Sequence, residues 1–77
     1  MPTLLRIKGY RLGFFSADWG EPAHVHVTKA GSAAKFWLVP VQLVRNIGFG
    51  RHELSEIDGI VREHQNELLR AWNDYFG

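Results

Sequence analysis

Apolar and polar residues alternate along most of the first half of the chain, which indicates β-strands. The alternation covers residues 3–8, 10–16, 24–28 and 33–38. A period of two is that of side chains on the two faces of a sheet. Turn-forming sequences that contain glycine or proline separate these segments. We therefore predict four antiparallel strands that follow one another as a meander.

The hydrophobic period changes after residue 39 and predicts helices. Pro40 suits the first position of a helix, so we predict a short helix over residues 40–46. Apolar residues then recur at spacings of three and four, which predicts a long helix over residues 51–75 with Gly50 as its N-cap. We expect this helix to bend or fray at Gly59, because glycine inside a helix costs about 1 kcal/mol relative to alanine. The predicted fold is a single α+β domain over residues 1–77, with both helices on one face of the sheet.

Strand alternation sorts the side chains of the four predicted strands into two sets. One set is entirely apolar and should face the helices: Leu5, Ile7, Leu12, Phe14, Val25, Val27, Ala34, Phe36 and Leu38. The opposite set forms what we call the open face: Leu4, Arg6, Lys8, Arg11, Phe15, His24, His26, Thr28, Lys35 and Trp37. Solvated sheet faces do carry Lys, Arg and Thr. Large aromatic residues on such a face favour a binding surface instead.

The amino-acid composition limits the cellular compartment and the kinds of metal site and cross-link that the protein can have. The chain has 77 residues, a formal net charge of +1 and no cysteine. Disulfides and thiolate metal ligands are thereby excluded, and a reducing compartment is expected. The sequence shows neither a signal-peptide pattern nor an apolar segment near the roughly 20 residues of a membrane span. We expect a cytoplasmic protein without membrane association, and self-association into a homodimer is one expected source of stability.

His24 and His26 lie two residues apart on one predicted strand, so their imidazoles should point the same way. The first interpretation is a binding role, with hydrogen bonds to phosphate or to a partner's backbone. The second is cleavage of RNA by acid–base catalysis without a metal, with Lys35 or Arg6 stabilising the developing charge. The third is a metal site with Glu21 as an additional ligand. The sequence leaves all three interpretations open.

The other two histidines have simpler expected roles. His64 falls on the apolar stripe of the predicted long helix, which is typical of a core histidine with one satisfied hydrogen bond. His52 lies near the start of that helix and should be solvated. Both are more distant candidates for an additional metal ligand beside the histidine pair.

Several segments also resemble a known family. They are Pro2-Thr3-Leu4-Leu5-Arg6-Ile7, Tyr10-Arg11, Glu21-Pro22-Ala23-His24-Val25-His26-Val27, Ala34-Lys35-Phe36-Trp37-Leu38, Arg62-Glu63-His64, Leu68-Leu69, Trp72-Asn73 and Phe76. The segments are similar to those of the bacterial family called domain of unknown function 4160. The resemblance implies a small stand-alone bacterial protein, often encoded beside a member of the family called domain of unknown function 2442. Such pairs look like toxin–antitoxin modules, which implies a small protein partner and a role with RNA or DNA. The resemblance carries no established catalytic residue.

The leading hypothesis is a small interaction module rather than an enzyme, with no cofactor. It would bind a nearby-encoded acidic protein or a nucleic acid through Arg6, Arg11, Phe15, Glu21, His24, His26, Lys35 and Trp37. The alternative is a metal-independent ribonuclease toxin that uses the histidine pair as acid and base. A second alternative is a metal-binding protein built on the same pair.

Overall fold

The alternating segments form an antiparallel meander, as predicted, but the sheet has five strands rather than four. The computed structural model describes residues 3–15, 18 and 20–77. The strands are β1 (Thr3–Ile7), β2 (Tyr10–Gly13), β3 (His24–Lys29), β4 (Ser32–Leu38) and β5 (Val41–Ile47), and the helices are α1 (Arg51–Glu63) and α2 (Gln65–Phe76). Ser16, predicted to end the second strand, and residues 17 and 19 of the following turn lie outside the described residues.

The predicted short helix over residues 40–46 is wrong, because this segment forms β5 against β4. Residues 39 and 40 make the turn between the two strands. Val41, Val44 and Ile47 are β-branched, and such side chains favour a pleated strand over a helix. The proline signal at position 40 therefore marks a turn rather than the first turn of a helix.

The predicted long helix is two helices that meet at His64. An unbroken helix over residues 51–75 would be about 37 Å long at 1.5 Å per residue, which exceeds the longest dimension of the domain, 33 Å. α1 runs through Gly59 without a break, so the helix does not fray at that glycine and the interruption comes at His64 instead. Gln65 fixes the start of α2 by donating a hydrogen bond from Nε2 to the carbonyl oxygen of Leu38 at 2.6 Å. Within the described chain, neither helix has the length and apolarity to cross a membrane.

The N-terminal cap of α1 is the one that the sequence predicts. Gly50 is the N-cap, and its backbone N–H donates to the Glu53 carboxylate at 3.1 Å. The predicted core position of His64 is wrong, because its side chain is partly exposed and its Nδ1 lies 2.9 Å from the Glu67 carboxylate. At the junction of two helices, the His64 side chain can point toward solvent. The apolar spacing was read for one continuous helix, and such a helix would place His64 in the core.

The two faces of the sheet separate as the alternation predicts. Most of the predicted apolar set is fully buried against the helices, and Leu5 and Ile7 pack at its edge. The helices contribute chiefly Ile57, Val61 and Leu68 to this core. The strand β5 adds Gln42, Arg45 and Ile47 to the open face, because they lie opposite Trp37, Lys35 and Ala33 of β4.

Charge is divided between the two layers of the domain. The five strands contain five Lys or Arg residues and no acidic residue. The two helices contain three Arg residues and six acidic residues. The sheet layer is therefore cationic and the helical layer anionic, although the whole chain has a formal net charge of only +1.

Candidate functional site

Three polar side chains meet where β3 begins, and we call them the His–Asp cluster: Asp18, His24 and His26. The Asp18 Oδ2 atom lies 3.0 Å from Nε2 of His26 and 3.2 Å from Nε2 of His24. One ligand-type atom from each residue lies within 4.8 Å of the others. The two histidines do point the same way, as their spacing on one strand predicts.

Asp18 is held in place by the backbone of the connection between β2 and β3. Its Oδ2 accepts a hydrogen bond from the backbone N–H of Phe15 at 2.8 Å. A carboxylate that accepts from a backbone N–H three residues earlier stabilises a turn, which fixes the carboxylate against the strand. The cluster is thus built from a turn and from the first two outward residues of β3.

The His24 ring is fully buried, and its hydrogen bonding fixes its tautomer. Its Nδ1 lies 2.9 Å from the carbonyl oxygen of Pro22, and a carbonyl only accepts hydrogen bonds, so Nδ1 carries the proton. The buried Nε2 has no hydrogen-bond partner among the described residues. Asp18 Oδ2 is near it at 3.2 Å but is not aligned for a hydrogen bond. In the neutral ring, a lone pair therefore faces the carboxylate.

The sequence placed His24 on an accessible open face, but its exposed fraction is 0%. The pairing of β2 with β3 stops at Gly13 and His26, so the sheet is narrower beside His24. Trp72 of α2 reaches this point, with its ring centroid 4.9 Å from that of His24. The Trp37 ring lies edge-on at 5.7 Å, and together these rings exclude water from His24.

The environment of the cluster favours an ionised carboxylate beside a neutral imidazole. Burial works to raise the pKa of Asp18, but hydrogen bonds from Phe15 and His26 outweigh it and hold that pKa below its ordinary value. Burial lowers the pKa of His26, and the opposing attraction of Asp18 does not restore it. Near neutral pH the His26 ring is therefore uncharged, and its Nε2–H donates to Asp18.

A cleft of about 360 Å³ opens beside the cluster on the open face. Its polar walls are Asp18, Glu21, His26, Lys35 and Arg45. Lys35 donates a hydrogen bond to Glu21 at 2.7 Å, and this bond lowers the pKa of Glu21. The cleft therefore combines the exposed side of the His–Asp cluster with two cationic side chains.

The remaining predicted residues lie away from this cleft. Arg6 and Arg11 face each other across β1 and β2, and Arg11 also donates to the Thr3 hydroxyl at 2.9 Å. Arg6 is two strands away from β3, about 10 Å at the usual strand spacing, so the structure does not bring it to the histidines. Lys8 turns toward α1, with Nζ 3.7 Å from the Glu56 carboxylate.

The predicted aromatic residues lie at the two ends of the cluster. The Phe15 ring centroid is 4.4 Å from that of His26, and the side chain remains 42% exposed. Trp37 is half-buried, and the Lys35 ammonium lies 5.0 Å from its ring centroid. Both aromatic side chains are therefore on the open face, although Trp37 is partly covered.

Sequence reasoning missed two residues of the site, Asp18 and Arg45. Asp18 lies in a predicted turn, and its position three residues after Phe15 is the signal that could have placed it against the strand ends. Arg45 was assigned to a helix, so its place opposite Lys35 was not foreseen. Glu21, proposed as the additional metal ligand, pairs with Lys35 and lies outside the cluster of three.

Comparison with known proteins identifies the family. No curated protein matches the chain, and no solved structure matches it. A family model described as Domain of unknown function (DUF4160) matches residues 9–73, a range that includes the His–Asp cluster and all of the cleft. The chain belongs to the DUF4160 family.

Proposed function

We propose that this protein binds single-stranded nucleic acid across its open face. The observation that carries the proposal is two pairs of like-charged residues at directly opposite positions on neighbouring strands. Arg6 lies directly opposite Arg11, and Lys35 lies directly opposite Arg45. Like charges at such positions destabilise a sheet. A polyanion laid over the face would place phosphates at both pairs, where they would compete with Glu21 for Lys35.

The spacing of the two pairs suits a chain of phosphates. The two pairs are three strand spacings apart across the sheet, about 14 Å, and are offset by two residues along the strands. His26 and Thr28 of β3 lie between them. Exposed Phe15 supplies a ring on which a base can stack, a contact worth about 1–3 kcal/mol in single-strand binding proteins. A flexible single strand could follow both pairs and still place a base at this ring.

The geometry favours binding over cleavage by the two histidines. Metal-free cleavage of RNA needs one imidazole as base and another as acid, each within reach of the substrate. His24 is fully buried and its Nδ1 is bonded to the Pro22 carbonyl. Only His26 borders the cleft. Wild-type protein that cleaves RNA, with loss of cleavage in His26→Ala, would favour the ribonuclease alternative.

A protein partner is the second candidate, and the edge strand β5 supports it. Six of its seven residues are exposed, among them Leu43, Val44 and Ile47. Its outer edge is not paired with another strand of the sheet. An exposed apolar edge is the surface to which a partner strand adds by backbone hydrogen bonds. This candidate uses a different surface from the open face.

Fluorescence anisotropy with labelled 12-nucleotide RNA and DNA tests the leading proposal. We expect binding that weakens with salt, with the slope of log K against log salt reduced by about 0.7 for each cation that contacts a phosphate and is removed. The test variants are Arg6→Gln/Arg11→Gln and Lys35→Gln/Arg45→Gln. The matched control is Arg51→Gln/Arg70→Gln, which removes the same charge from the helices.

If the control variant weakens nucleic-acid binding as much as the test variants do, the effect comes from net charge alone. That result would contradict a binding site on the open face. Pull-down of the protein from lysate, with and without nuclease, separates the two candidates. A complex that survives nuclease and is lost when Leu43 and Ile47 are replaced by Lys would favour the protein partner at β5.

A further inference from the structure

We propose that Asp18, His24 and His26 form a binding site for a divalent first-row transition metal ion such as Zn²⁺. The inference goes beyond nucleic-acid binding and does not depend on it. It rests on three observations: the convergence of the three ligand atoms, the unpartnered Nε2 of His24, and the hydrogen bonds that orient the ligands from behind.

The spacing of the ligand atoms fits a small metal ion. Bonds of 2.0–2.1 Å in a tetrahedral site place neighbouring ligand atoms about 3.3 Å apart. The Asp18 Oδ2 atom is 3.0 Å and 3.2 Å from the two imidazole Nε2 atoms. All three ligand atoms lie within 4.8 Å of one another, so two imidazole nitrogens and one carboxylate oxygen can meet at one ion after a small adjustment of the side chains.

The burial of His24 points to a ligand at its Nε2. A buried polar atom without a partner is destabilising, and the lone pair of Nε2 faces a carboxylate oxygen rather than a donor. A cation placed between the two atoms would remove this unfavourable contact.

The surroundings supply the outer hydrogen bonds that metal ligands require. Histidine ligands commonly donate their other ring N–H to a backbone carbonyl, which holds the lone pair on the ion. The contact of His24 Nδ1 with the Pro22 carbonyl at 2.9 Å is of this kind. The bond from Phe15 N–H to Asp18 Oδ2 also positions the carboxylate, because it occupies one lone pair of the ligand oxygen and leaves another for the ion.

The type of ion and its open side follow from the ligands. Imidazole nitrogens select Zn²⁺, Co²⁺, Ni²⁺ or Fe²⁺ over Mg²⁺ and Ca²⁺, which prefer oxygen ligands. His24 closes the buried side of the site, whereas Asp18 and His26 border the cleft. Three protein ligands leave a position for water or an anion, and Lys35 and Arg45 line the side from which an anion would enter.

Metal titration of protein without a polyhistidine tag, stripped with chelator, tests the proposal. We expect one Co²⁺ per chain with visible absorption bands of a four-coordinate site, displaced by Zn²⁺ and not by Mg²⁺. His26→Gln and Asp18→Asn should each weaken Co²⁺ binding by more than about 100-fold, beyond the roughly 10–100-fold effect of losing an outer hydrogen-bond partner. His64→Gln is the matched control, because His64 also contacts a carboxylate, that of Glu67.

Nuclear magnetic resonance of the wild-type histidine side chains gives a second measurement that needs no variant. Zn²⁺ should shift the ring nitrogen resonances of His24 and His26 and leave those of His52 and His64 in place. Wild-type protein that binds Co²⁺ no more tightly than His26→Gln, or Zn²⁺ shifts confined to His52 and His64, would overturn the proposed site. None of these measurements uses nucleic acid, so failure of either proposal leaves the other standing.

Discussion

The Tyr10 hydroxyl donates a hydrogen bond to Oε1 of Glu56 at 2.8 Å, which joins the first hairpin to helix α1. The Tyr10 ring is buried and packs against Phe49, with the ring centroids 5.9 Å apart. Burial, together with the Glu56 carboxylate, raises the pKa of Tyr10 to about 12. The ionised phenolate is disfavoured in the folded state, so this link is sensitive to alkaline conditions.

We predict that alkaline unfolding is partly due to Tyr10. Its pKa rises from 10.0 to about 12 on folding, so the unfolded state loses its proton first, and stability falls as pH rises above 10. Tyr10→Phe should flatten this part of the profile and cost about 1 kcal/mol at neutral pH through the lost hydrogen bond. Urea unfolding between pH 8 and pH 11.5 measures both effects, with Tyr75→Phe as the control. A profile unchanged by Tyr10→Phe would contradict the assignment.

We predict that Arg45→Gln stabilises the free protein and weakens nucleic-acid binding. The substitution removes the repulsion between Arg45 and Lys35, which lie directly opposite each other, and should gain about 0.2–1 kcal/mol. Chemical denaturation and anisotropy on the same preparations measure the two effects. Arg70→Gln, at an exposed position of α2, should give neither change. Loss of stability in Arg45→Gln would argue against repulsion at this pair.

Two glycines should respond to alanine in opposite directions. Gly48 has φ of +93°, and an added Cβ would lie 2.6 Å from Ser32 Oγ, so Gly48→Ala should destabilise the protein. Gly59 is exposed inside α1 with nothing within 4 Å of an added Cβ. Gly59→Ala should therefore stabilise by about 0.5–1 kcal/mol through helix propensity. Thermal unfolding of the two variants measures both changes in stability. A destabilised Gly59→Ala variant would contradict the continuous helix α1.

We predict that mild acid destabilises the metal-free protein through His26. Its pKa lies below the ordinary 6.5 in the folded state, so the unfolded state binds more protons and the free energy of unfolding decreases as pH falls below about 6.5. The groups that face His26 are Asp18, His24 and Lys35. His26→Gln should remove this dependence, because a glutamine amide still donates to Asp18 without titrating.

Melting temperatures between pH 7.5 and pH 5, measured in chelator, test the role of His26. His52→Gln serves as the control because it removes an imidazole from the exposed start of α1. The control should keep the slope of the wild type. An equal slope in His26→Gln would assign the acid dependence to a group other than His26. Asp18 is not that group, because its lowered pKa keeps it ionised throughout this range.

The sheet and its two faces were predictable because strand alternation reports burial directly. Leu12, Val25 and Phe36 were assigned to the core, and they are fully buried. β5 was not predictable in the same way, because its side chains are almost all exposed and show no alternation. The helix break at His64 depends on the contact between Gln65 and the carbonyl of Leu38, and such long-range contacts leave no periodic signal.

The His–Asp cluster was predictable only in part, for a related reason. The spacing of His24 and His26 fixes their common direction through the geometry of a strand. The burial of His24 depends on Trp72, which lies 48 positions further along the chain. Asp18 belongs to a turn, where backbone direction follows local hydrogen bonds rather than a repeating pattern.

The separation of charge between the sheet and the helices gives this small protein one cationic side and one anionic side. A net charge of +1 suggests weak attraction to polyanions, yet the strands carry five cations and no acidic residue, although one of the cations, Lys35, is paired with Glu21. A polyanion would turn the molecule before contact, so that the sheet arrives first and the acidic helices point to solvent. Mutations on the helices that leave every binding contact intact can therefore still change the rate of association.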